Sequence, residues 1–377
     1  MIYADNAATT RMDIEVFEAM KPYLLSEYGN VSQPYSFTRK AKKAIKESRE
    51  IIANCIGAEP DEIFFTSGGS ESDNWAIKSL LSHKDDTNII TSNIEHHAIL
   101  NACKAVEKFG ASVSYLDPDK EGVITNKTLG KYINNKTKLV SIMLANNEIG
   151  TIEPIAELAK TAHQHGAVFH TDAVQAVGHI PINVKQLGVD MLSASGHKFN
   201  APKGIGFLYI KRGTKIDSYI NGGDQESGKR AGTENVASIV GMATALKNNC
   251  AEMNMIAEKL RHMENLFLNT LDAADVKYLY NGAELRIPGN INISILDADG
   301  EMLLHRLDLK GICISTGSAC DSASTQVSHV IESIGVPDEY AKGTIRISFG
   351  KYNHERDAIA VADAIVEILK TNQRLRY

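Results

Sequence analysis

Between Glu62 and Ile210, short runs of β-branched and aromatic residues recur, separated by longer stretches with helical apolar spacing. The runs are Ile63–Phe65, Asn88–Thr91, Ala111–Tyr115, Leu139–Leu144, Ala167–His170, Val189–Leu192 and Gly206–Ile210. Strands separated by helices cannot pair as tight hairpins. The pattern therefore confines the segment to an α/β fold, a mainly parallel sheet flanked by helices. In such sheets ligands bind beyond the carboxyl ends of the strands. Polar residues fall just there: Ser67 to Ser70 after the first run, Glu95 and His96 after the second, Asn146 and Asn147 after the fourth, Asp172 after the fifth and Lys198 after the sixth. They are expected to converge on one rim.

A helical pattern from Asn235 to about Asp272 leads into a second unit. It holds a strand Asn290–Leu296, a helix Gly300–Leu309, a small-residue loop Ser315–Ser324, a strand Thr344–Phe349 and a helix from about Glu355 to Asn372. A chain of 377 residues outgrows one small core. The expected division is a large domain over 14–250 and a smaller α+β domain from 1–13 and 251–377. Forty basic against 46 acidic side chains, with no long Lys/Arg block, argue against direct nucleic-acid binding. Met1 to Asn6 lacks a secretory signal and no apolar run could span a bilayer, so a cytoplasmic protein with no membrane contact is expected. Five cysteines without a CxxC pair argue against a disulfide framework, and no metal is expected.

The chemistry centres on Ser193-Ala194-Ser195-Gly196-His197-Lys198 and His170-Thr171-Asp172-Ala173-Val174-Gln175. A lysine can hold an aldehyde cofactor as a Schiff base, and a carboxylate can keep a pyridine nitrogen protonated, so the pair suggests pyridoxal phosphate (PLP). Gln175 is close enough in sequence to reach the cofactor's phenolic oxygen, and Asn147 could approach ring or substrate. A helix N-cap is the competing reading of Asp172. Phe65-Thr66-Ser67-Gly68-Gly69-Ser70 reads as strand, glycine turn and helix start, a place where backbone N–H groups and the Ser70 hydroxyl favour a phosphate. Ser195 and His197 can add to that phosphate site. His96 can stack on a planar ring or move protons.

Arg346, inside the alternating run Thr344–Phe349, suits capture of a substrate carboxylate. Cys320 lies in Ser315-Thr316-Gly317-Ser318-Ala319-Cys320-Asp321-Ser322-Ala323-Ser324. Such small residues cannot pack a core, so a mobile loop carrying a nucleophilic thiol is expected. Cys55 and Cys103, in helical surroundings, read as small hydrophobes.

Together these segments, with Tyr3-Ala4-Asp5-Asn6-Ala7-Ala8-Thr9-Thr10, Asn146-Asn147-Glu148-Ile149-Gly150 and Arg230-Ala231-Gly232-Thr233-Glu234-Asn235, resemble the cysteine desulfurases of the class V, fold type I, PLP-dependent aminotransferase family. The resemblance spans nearly the whole chain. It implies that Lys198 binds PLP covalently, Asp172 the pyridine nitrogen, Gln175 the phenolic oxygen, and Gly69, Ser70, Ser195 and His197 the phosphate, joined by Thr233 from the partner of a homodimer. It implies that His96 stacks on the ring and shuttles protons, that Arg346 and Asn147 hold the carboxylate of L-cysteine, and that Asn6, Ala7 and Ala8 line the pocket. Cys320 would take the sulfur as a persulfide and pass it to an acceptor protein, either an iron-sulfur scaffold or a tRNA-thiolating enzyme. The sequence departs from the family's pattern at Val31, Tyr35 and Asp224, and Ser70 stands for a common threonine. A selenocysteine lyase, or another class V carbon-sulfur lyase or aminotransferase, is the alternative reading.

Overall fold

The computed structural model describes residues 1–79, 88–316 and 327–375. Among them are twelve strands: β1 (Ile2–Tyr3), β2 (Ile63–Thr66), β3 (Asn88–Ser92), β4 (Ser112–Leu116), β5 (Thr137–Ser141), β6 (Val168–Asp172), β7 (Met191–Ser195), β8 (Gly206–Ile210), β9 (Tyr278–Tyr280), β10 (Asn290–Ile295), β11 (Ile312–Cys313) and β12 (Thr344–Ser348). Seven form one sheet in the order β2-β8-β7-β6-β5-β3-β4. Only β8 runs against its neighbours, pairing antiparallel with both β7 and β2. The carboxyl ends of β2, β3, β5, β6 and β7 therefore share one edge.

Both faces of this sheet are covered, which is why its strands read as nearly continuous apolar runs. Neighbouring residues turn to opposite faces. Phe65, Ile90, Val140, Phe169, Leu192 and Phe207 join the core that includes Ile52, Leu158 and Leu246. Phe64, Ile89, Leu139, Met191 and Leu208 face Trp75, Ile99 and Val106.

A second core lies around the antiparallel sheet β12-β10-β9. The helix Val236–Ala273 contributes Met242 and Leu246 to the first core and Leu260, Met263 and Phe267 to the second. The amino-terminal strand β1 pairs with β11, and Asp5 bridges to Ser348. The first residues of the chain are thereby drawn from the second core across to the rim of the first sheet.

Two strands of the sheet end two or more residues later than their apolar runs suggest. Asp172 and Ser195 are the last residues of β6 and β7, because the ladder continues through the pairs Thr171–Leu192 and Asp172–Ser193. Their polar side chains face the rim, so hydrophobicity stops marking the strand before hydrogen bonding does. The fully buried Phe169 lies beneath this corner. Phe169→Ala is expected to lower the free energy of unfolding by about 3–5 kcal/mol in urea titrations; a loss under about 1 kcal/mol would mean that the corner does not depend on this packing.

Candidate active site

The shared edge opens on a cavity of about 560 Å³. Lys198 reaches it from the short turn Gly196–Lys198 that follows β7. Its Nζ donates to the carbonyl oxygens of Ala7 (2.6 Å) and Ala8 (2.9 Å). The same Ala7 carbonyl accepts from Gln175 Nε2 at 2.9 Å, and the Ala7 N–H donates to Ser348 Oγ at 2.9 Å. A crossing strip of amino-terminal backbone thus links the lysine to β12. Asn6 does not line this cavity. Its amide bonds the Ser348 carbonyl and Asn353, which holds the strip in place.

Asp172 sits at the floor, 5% exposed, with Oδ1 accepting from the Val174 N–H at 2.9 Å. The segment that follows is a turn, not a regular helix, so the N-cap reading of Asp172 does not apply. Burial pushes its carboxyl up to about 6, against the pull of the Val174 N–H and of nearby Lys198. Beneath it lies a further carboxyl, Asp73, fully buried and held well above the usual range first by burial and then by Asp172. The fully buried His170, pushed down to about 3 by burial, is bonded on its two ring nitrogens to Ser141 and Ser193.

The phosphate side is formed by the helix Gly69–Lys78, whose first N–H groups have no acceptor within the helix. A side chain at position 69 would strike Val174 Cγ2 at 2.5 Å, so only glycine lets the helix start approach Val174 and Ser195 this closely. Ser70, Ser195 and His197 line the same part of the cavity. Thr9 holds His197 through Nδ1 at 3.1 Å, and burial lowers that imidazole to about 4.

His96 caps the helix His97–Glu107 by accepting the Ala98 N–H on Nδ1 at 3.1 Å. Burial, followed by Lys198, lowers it to about 4. The ring is therefore neutral near pH 7, with its proton on Nε2. Opposite, Arg346 is 6% exposed and donates from its two terminal nitrogens to the Asn147 carbonyl and to Asp5 Oδ1, each at 2.8 Å. Its buried Nε has no hydrogen-bond partner. An anion entering beside Asn147 would meet a guanidinium already fixed in place.

The site residues expected from sequence meet in this cavity apart from three. Asn6 lies beside it. Thr233 lies in a separate groove with Gly232 and Glu234. Cys320 lies outside the described residues. Tyr35 and Asp224 are exposed, and neither lines the cavity. Sequence reasoning passed over Asp5, Asp73, His97, Glu148, Ser328 and His329, of which all but Asp5 line the cavity. Asp5 and Glu148 stood within motifs already singled out and Asp73 lies three residues beyond one; Ser328 and His329 carried no local signal.

A family model described as aminotransferase class-V matches residues 2–361. The chain belongs to that family. Within it, the chain is 50% identical to a cysteine desulfurase IscS of Dictyoglomus turgidum, over 98% of this chain and 95% of the relative. A solved NifS-like protein superposes with a TM-score of 0.92 at 36% identity, covering 98% of this chain and 99% of its own. A structure of SspA in complex with cysteine matches with a TM-score of 0.83 at 34% identity, covering 94% and 100%.

Class-V members work with PLP, and the residues in this cavity fit it. Asp172 is a buried carboxylate that a protonated ring nitrogen would balance, the glycine-lined helix start suits a phosphate, and a lysine amine enters between them.

The burial of Asp172 predicts a pH-dependent stability. Its folded pKa lies above the unfolded value of about 3.9, so its contribution is fully present below that value and lost as pH rises through about 6. In protein stripped of PLP, Asp172→Asn is expected to be more stable than the parent at pH 7, by up to about 3 kcal/mol. The gap should close toward pH 4 in urea titrations. A variant less stable at pH 7 would contradict the burial cost.

Proposed function

We propose that the chain, a PLP-dependent cysteine desulfurase, captures the sulfur of L-cysteine on Cys320 and releases L-alanine. The observation that carries this reading is the convergence of Lys198, Asp172, His96 and Arg346 on one cavity. The solved relative that holds cysteine supports the substrate. Bound PLP supplies an aldehyde for the substrate amine and a ring that stores the electrons of the α-carbon.

The chain's own residues divide the remaining work. Arg346, with the side chain of Asn147, orients the substrate carboxylate, the guanidinium being held by Asp5 and the Asn147 carbonyl. Lys198 holds the cofactor, and its Nζ moves the proton at the α-carbon. His96, neutral with its proton on Nε2, would stack on the ring and present that Nε2 proton as a donor to the reacting groups. Gln175 meets the phenolic oxygen. Gly69, Ser70, Ser195 and His197 hold the phosphate, with Thr233 reaching the partner's site in a homodimer. Ala7 and Ala8 form the wall through which the lysine is positioned.

Sulfur transfer balances without a redox partner. The Cys320 thiolate attacks the substrate sulfur, an S–S bond forms, and the carbon–sulfur bond breaks with its electron pair passing to carbon, which takes up a proton. The products are alanine and a persulfide. Among the described residues no cysteine lines the cavity, and burial pushes the Cys103 thiol up to about 12, which makes it inert. The outer sulfur would then pass to an acceptor protein for iron-sulfur assembly or tRNA thiolation, in the cytoplasm. We keep the division into 14–250 and 1–13 with 251–377 as part of this reading, its boundary falling within the helix Val236–Ala273.

The test is incubation of the holoenzyme with L-cysteine and mass analysis of the Cys320 peptide, which should gain one sulfur atom. Cys320→Ser is expected to lower alanine formation by at least about 100-fold while PLP stays bound. Undiminished alanine formation would remove Cys320 from the reaction.

A further inference from the structure

Beside the cavity lies a small apolar cluster separate from the main cores. Ile94 and Ile149, both fully buried, pack there with Val330, Ile331 and Ile334 of the segment around the helix His329–Ser333. This segment begins directly beyond residues 317–326. Two polar contacts fix its start. Ser328 Oγ donates to Glu148 Oε2 at 2.6 Å while also accepting the Val330 N–H at 3.1 Å. His329 Nε2 donates to the Glu95 carbonyl at 3.1 Å.

Glu148 is only 4% exposed, and a carboxylate is costly to bury unless it is bonded. Its place is set in advance. Asn146 Oδ1 accepts the N–H groups of Glu148 (2.8 Å) and Ile149 (3.0 Å), and Asn146 Nδ2 donates to the Ile94 carbonyl at 2.9 Å. The neighbouring Asn147 carbonyl accepts from Arg346, whose backbone in turn pairs with Ser315 in both directions, at 3.0 and 2.7 Å. The loop Asn146–Gly150 therefore touches, directly or through Arg346, the chain on both sides of 317–326. An apolar residue at 148 would suffice for packing alone. A preset carboxylate holding Ser328 suits a fixed point against which a neighbouring group is aimed.

We propose that Glu148 is a positioning residue for sulfur capture, acting through Ser328 to fix where the chain re-enters the fold after Cys320. The inference rests on the reading of Cys320 as the nucleophile. It separates two steps of the reaction: binding of substrate at the cofactor, which uses Lys198 and Arg346, and delivery of the thiol, which depends on Glu148 and Ser328.

The test uses holoenzyme in a single turnover with saturating L-cysteine. Cys320 persulfide is followed by quenching and mass analysis, and the cofactor step by the absorbance change of bound PLP. Ser328→Ala and Glu148→Ala are each expected to slow persulfide formation about tenfold, with the absorbance change kept within about twofold. The double variant should be no slower than either single one, since both remove the same contact. Glu148→Gln, which keeps an acceptor oxygen, should recover most of the rate.

Unchanged persulfide formation in Ser328→Ala would overturn the proposal, as would an absorbance change slowed in parallel or additive losses in the double variant. Cys320→Ser run alongside separates the two readings. If it still forms alanine at the parental rate, the nucleophile assignment has failed. If it is inactive while Ser328→Ala runs at full speed, only the positioning role has failed.

Discussion

The site depends on a carboxylate buried at the floor of the cavity, where little water can solvate it. Asp172 ends a central strand, its side chain closed in by the neighbouring strands and the helix Gly69–Lys78. One backbone N–H offsets part of the burial, and the rest remains as a raised affinity for protons. A cation over the floor of the cavity converts that cost into binding energy. The second carboxyl, Asp73, has its proton affinity raised by burial and then by Asp172 itself, which opposes a second negative charge at the floor.

The other parts of the molecule serve to bring complementary groups to that floor. The parallel strands supply the rim, and the glycine at 69 lets a helix start close one side of it. The second core supplies Arg346 from β12, and the amino-terminal strip supplies the carbonyls that receive Lys198. Asp5 and Ser348 tie this strip to the arginine strand, so the lysine and the carboxylate-binding group share one support. Cofactor and substrate ends of the cavity are consequently joined through a few hydrogen bonds of this strip.

Much of this was legible in the sequence because parallel strands concentrate apolar residues and put chemistry at their ends. Lys198, Asp172, His96 and Ser70 could be assigned to one rim from strand order alone. The ends of β6 and β7 could not, since Asp172 and Ser195 line a polar cavity, Ser193 is polar as well, and all three resemble loop residues. Asp73 was hidden for a similar reason: at a helix start an aspartate ordinarily reads as surface charge, and only tertiary packing buries it. Asn6 illustrates the converse, a motif residue whose amide supports the pocket wall from behind. The Glu148–Ser328 contact joins residues 180 apart, a distance over which local pattern carries no information.

The central claim is that the Asp172 carboxylate is held at a cost that the cofactor's ring nitrogen repays. Its most direct test is the equilibrium affinity for PLP of the parent protein and of Asp172→Asn, measured by fluorescence titration at pH 7 to 8. The account predicts binding at least about tenfold weaker in the variant, equivalent to about 1.4 kcal/mol or more. Equal affinity would contradict it, because the buried charge would then have no role in holding the cofactor.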